Sequence, residues 1–183
     1  MTTGLVLVLL GFFVTLQDCL LPFGYLPIDW LFLFVVFIGL QRGEAAGSWV
    51  GFLAGFCMDL LAGPPHLGTF TLAKTFSATA AGVLARLVNP ERPATQAMLA
   101  AFLTLVHEAL AAWSGARLGL AQGGLAPLLA AYVLPKILAH GLAAVPFFWL
   151  LQKVVRRRVI QRRLAVAPKV LKSALRGAAR ERK

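Results

Sequence analysis

The sequence predicts an all-α, polytopic membrane protein: six transmembrane helices in residues 1–151, then a basic, amphipathic cytoplasmic tail in residues 152–183. Three observations carry this. Hydrophobic residues make up 59% of the chain and charged residues 14%, against about 45–50% and about 25% in soluble domains. The apolar runs are too long and unbroken for barrel strands. Finally, the net charge of +11 is confined to the tail, because residues 1–151 balance six Lys/Arg against six acids.

Six spans fall between breakers, at roughly 4–21, 27–41, 45–62, 67–87, 94–118 and 125–151. The interruptions are Pro22 to Pro27, QRGE at 41–44, GPPH at 63–66, NPERP at 89–93 and AQGG at 121–124, each carrying Pro, Gly or charge. The first span is apolar but lacks the basic flank and cleavage site of a signal peptide, so it reads as a retained helix. The second is short and the first holds Gln17 and Asp18, which makes five spans the competing count. The positive-inside rule places the tail in the cytoplasm. Six spans then place the N-terminus there too, with Arg42, Arg86 and Arg92 in inner loops and Asp18 and Asp29 outside.

The third span carries Gly43, Gly47, Gly51, Gly55 and Asp59 at successive i+4 positions. They form one slowly winding stripe that lets another backbone approach closely, either within the bundle or from a partner helix. Asp59 stands near the end of this helix, and an intramembrane carboxylate needs an answer. Lys74, across the GPPH turn, is the candidate ion-pair partner, being only about 4.5 Å out of register. The alternative is that Asp59 reaches interfacial water.

Glu108 and Lys136 lie fourteen residues before and after residue 122, the centre of the connection between spans five and six. In an antiparallel hairpin they sit at one depth. His107 adjoins Glu108, and His140 is one turn beyond Lys136. An ion pair fixing hairpin register and a proton relay both fit this set. The lack of a continuous polar path to either surface favours the ion pair.

No catalytic motif, cofactor site or metal spacing is present in the sequence: His66, His107 and His140 are scattered, and Cys19 and Cys57 make no framework. After Pro168, Val170, Leu171, Ala174, Leu175 and Ala178 fill one arc of a helical wheel and Lys169, Lys172, Arg176 and Arg180 the other. Such a helix suits anionic lipid headgroups rather than nucleic acid. A disordered tail acting only on topology is the alternative.

The stretch from Pro27 to Ala73 resembles the rod shape-determining protein MreD family, through Pro27, Asp29, Gly51, Phe52, Gly55, Asp59, Leu60, Gly63, Leu67 and Gly68. The resemblance implies a non-enzymatic scaffold in the bacterial inner membrane. It would bind MreC and support peptidoglycan synthesis by RodA and its class B penicillin-binding transpeptidase, in step with MreB filaments. The family is also similar in fold to the substrate-binding S components of vitamin uptake transporters, which supplies the alternative function. Against that alternative, the first span has no AxxxA stripe, and the polar set Asp59, His66, Lys74 and Arg117 is thin for a vitamin pocket. Lys74 and the long basic tail are departures from the family pattern.

Overall fold

The computed structural model describes residues 3–20, 28–63, 67–89, 92–117 and 133–154, with backbone only at 17–20 and 115–117. These form six helices and no strand: α1 (Thr3–Leu20), α2 (Trp30–Arg42), α3 (Glu44–Ala62), α4 (Thr69–Leu84), α5 (Pro93–Arg117) and α6 (Leu134–Val154). By length and composition, three of them can cross a membrane: α3, α5 through Ser114, and α6. The expected spans and the observed helices differ by a few residues where both are described. The exception is the sixth, whose expected start at 125 lies outside the described residues. Of the tail expected at 152–183, residues 152–154 continue α6; the rest, with Lys169, Lys172, Arg176 and Arg180, lies outside the described residues, as does His66.

The shortest helix is the most buried. Every residue of α2 from Leu31 to Leu40 is buried. At thirteen residues it is about 20 Å long, less than a hydrocarbon core. A helix apolar on all sides belongs inside a bundle rather than against lipid. Gly39 lets it touch α4: a Cβ there would run into the Ala78 carbonyl. Gly43, at φ 86°, turns the chain directly from α2 into α3.

The α3–α4 and α5–α6 hairpins run antiparallel. Gly47, Gly51 and Gly55 of α3 lie against Ala78, Lys74–Thr75 and Phe70–Thr71 of α4 in reversed order. The α5–α6 contacts Thr104–His140 and Glu108–Lys136 are likewise reversed. The bundle thus has two unlike ends. Arg42, the exposed Glu44–Arg86 pair, Arg92 and Lys153 gather at one, while Asp29, Asp59, Lys74, Glu108, Lys136 and His140 lie toward the other.

Candidate functional site: a glycine seam and a buried charge cluster

The α3–α4 seam is made by the absence of side chains. A Cβ at Gly51 would stand 2.7 Å from the Lys74 carbonyl oxygen and 2.9 Å from Thr75 Cα, and one at Gly55 would be 2.7 Å from the Phe70 carbonyl carbon. All of these obstacles are backbone, so nothing can give way. The stripe Gly47, Gly51 and Gly55 therefore packs within the chain, against α4.

Asp59 completes this seam, and here the structure corrects the sequence reading. Asp59 is buried and does not meet Lys74. Its Oδ1 accepts the Phe70 N–H at 2.9 Å, and its Oδ2 accepts the Thr71 N–H at 2.9 Å and the Thr71 hydroxyl. The cause is the free N-terminus of α4. That helix begins after Gly68, which has φ 93° and no side chain to cap with. Unpaired N–H groups at a helix start attract a carboxylate, and Asp59 supplies the cap from the neighbouring helix. Register excludes Lys74 as well. Gly51 holds the Lys74 backbone about two turns deeper than Asp59, and the Lys74 side chain leaves α4 toward α2.

Lys74 is wholly buried and pairs with Asp29, the residue that opens α2. Asp29 Oδ1 caps its own helix by accepting the Phe32 N–H at 2.7 Å, while Oδ2 receives the Lys74 ammonium. The sequence reading gave Asp29 only a motif position in an outer loop. An Asp directly before an apolar run is an N-cap signal that could have found its first role. Nothing in the sequence spacing indicated the second.

A second pair joins α5 to α6: Lys136 Nζ lies 2.6 Å from Glu108 Oε1. His107 Nδ1 is 3.2 Å from the same oxygen. Between the two pairs stands the Phe32 ring, 4.8 Å from His107, 5.2 Å from His140 and 5.9 Å from Lys74 Nζ. His140 is buried and links three helices. Its Nε2 receives the Asp29 backbone N–H at 2.8 Å, and its Nδ1 lies 2.8 Å from Thr104 Oγ1. The two carboxylates and two ammonium groups leave the cluster balanced, which is how charge persists in low dielectric. Each lysine is held by a carboxylate on another element, so these bonds serve as ties between helices. No group of three metal-ligating side chains occurs among the described residues.

Helices of membrane-spanning length around a buried, internally paired charge cluster define a helical membrane protein. The sequence model of the rod shape-determining protein MreD matches residues 1–157, and the chain belongs to that family, whose role lies in rod shape determination. No curated protein and no solved structure matches the chain. The motif behind the resemblance now has a physical reading. Gly51 and Gly55 allow backbone contact, and Asp59 caps α4. Gly63 (φ 68°) and Gly68 (φ 93°) supply the positive φ that ends α3 and starts α4.

Proposed function

We propose that this chain is a non-enzymatic membrane scaffold of the bacterial cell-elongation complex, binding MreC and through it supporting RodA, its class B transpeptidase partner and MreB-guided peptidoglycan synthesis. The observation that carries this reading is the family match over residues 1–157, which spans all six helices. The architecture supports it: Asp59, Lys74, Glu108 and Lys136 are all engaged in holding helices together. In this reading the chain crosses the inner membrane six times with both termini in the cytoplasm. The basic end of the bundle faces inward, with Arg42, Arg92 and Lys153 at headgroup level. The tail from 152 to 183 continues that basic character onto anionic lipid.

Depletion in a rod-shaped host is expected to give rounded cells, and purification in mild detergent is expected to recover MreC. Cells that stay rod-shaped but lose uptake of one vitamin would overturn the scaffold reading in favour of a transporter component.

A further inference from the structure

His140 sits in a hydrogen-bond chain with only one possible direction. The Asp29 backbone N–H can only donate, so His140 Nε2, 2.8 Å away, must present a lone pair. The ring proton is then on Nδ1 and is donated to Thr104 Oγ1. Thr104 in turn gives its own hydrogen to the Ala100 carbonyl at 2.7 Å. No bond in this chain can be reversed. A further proton on the ring has one place to go, Nε2, where it would face the Asp29 N–H donor to donor.

We propose that His140 is an acid-sensitive latch: neutral, it ties α6 and α5 to the first turn of α2, and on taking a proton it lets that turn go. The charges around it cannot absorb the proton by exchanging partners. Asp29, on α2, already holds the Phe32 N–H and the Lys74 ammonium from α4. Glu108, on α5, already holds Lys136 from α6 and the neighbouring His107. Asp29 would attract an imidazolium at position 140, while Lys136, Lys74 and His107 would repel it. His107 provides the contrast. Its Nδ1 side already points at a carboxylate, and its buried Nε2 has no partner, so a proton there breaks no bond. Of the two buried histidines, His140 alone joins helices through a nitrogen that must stay bare.

The test compares the full-length protein, H140Q and H107Q by thermal melting in detergent at about pH 7.5 and about pH 5, the range in which a histidine released from the fold takes up its proton. Wild type and H107Q are expected to lose about 4 °C or more on acidification beyond any loss in H140Q. Parallel profiles for wild type and H140Q overturn the latch, as does an acid response removed by H107Q instead. Should H140Q fail to fold, nitrogen NMR of the histidine-labelled wild type decides. The latch requires Nε2 of His140 to be bare at neutral pH and to gain a proton on acidification as the Asp29 amide loses protection. A hydrogen on Nε2 at neutral pH, or an amide indifferent to acid, overturns it.

Discussion

The α3–α4 and α5–α6 hairpins solve one problem by opposite means. In α3–α4 the helices meet backbone to backbone because Gly47, Gly51 and Gly55 remove the side chains between them, and Asp59 ties the end. Among the described residues of α5–α6 no such approach occurs. Gly141 would meet nothing closer than 3.5 Å on α5, and the hairpin is tied by Glu108–Lys136 and Thr104–His140. Lipid tails are as apolar as the helices, so helix association in a bilayer rests on close packing or on polar bonds. One hairpin relies mainly on the first and the other mainly on the second. Contacts between backbones tolerate no added atom. Contacts between long side chains can be removed in matched pairs.

The sharpest break in this comparison is a methyl group. Gly55→Ala places a Cβ against the Phe70 and Thr71 backbone, and should destabilise by about 3 kcal/mol or more, seen as lost folded yield and melting temperature. Gly11→Ala on α1 adds the same atom inside a helix where nothing lies within 4 Å, and should leave stability unchanged or raise it by up to about 1 kcal/mol. Equal stability in the two variants would mean the glycine seam is not what brings α3 and α4 together.

Next in size is the cap. Asp59→Ala leaves the Phe70 and Thr71 N–H groups without their acceptor at the end of a helix whose own N-cap is Gly68. The expected cost is about 2–4 kcal/mol, summed over two orphaned donors. Combining it with Lys74→Met sharpens the assignment, because Lys74 is held by Asp29. A double-mutant cycle between positions 59 and 74 should show coupling of about 0.5 kcal/mol or less, whereas one between 29 and 74 should show clearly more. Strong coupling between 59 and 74 would restore the pairing that register argues against.

Adjacent hairpins were the legible part of this molecule, because antiparallel helices make depth a matter of counting. Fourteen residues each way from residue 122 put Glu108 and Lys136 level, and their side chains meet at 2.6 Å. The glycine stripe of α3 was equally visible as an i+4 pattern. Counting gave Lys74 to Asp59 because both flank one turn. It could not show that backbone N–H groups would saturate Asp59, or that the side chain of Lys74 would reach α2. Contacts between helices that are not consecutive depend on how the bundle closes. Asp29 and His140 are 111 residues apart, and one of the bonding groups is backbone, which no residue pattern reveals.

The smallest expected effect tests the polar hairpin from its more exposed side. The side chains of Glu108 and Lys136 keep 20% and 26% of their exposure, so removing one partner should cost less than the ~3–5 kcal/mol of a fully buried pair, at about 1–2 kcal/mol. The two single variants should differ. Lys136→Met leaves the Glu108 carboxylate beside the His107 ring nitrogen, which can still donate to it. Glu108→Gln leaves the Lys136 ammonium with only a neutral amide, so it should be the worse of the two. The double variant replaces both charges with groups of similar volume, leaves no charge unanswered, and should recover most of the loss. Melting temperatures of the four proteins in one detergent decide the matter. A double variant as unstable as the sum of the singles would show that Glu108 and Lys136 act through separate partners. The α5–α6 hairpin would then depend on His140 and Thr104 instead of on its ion pair.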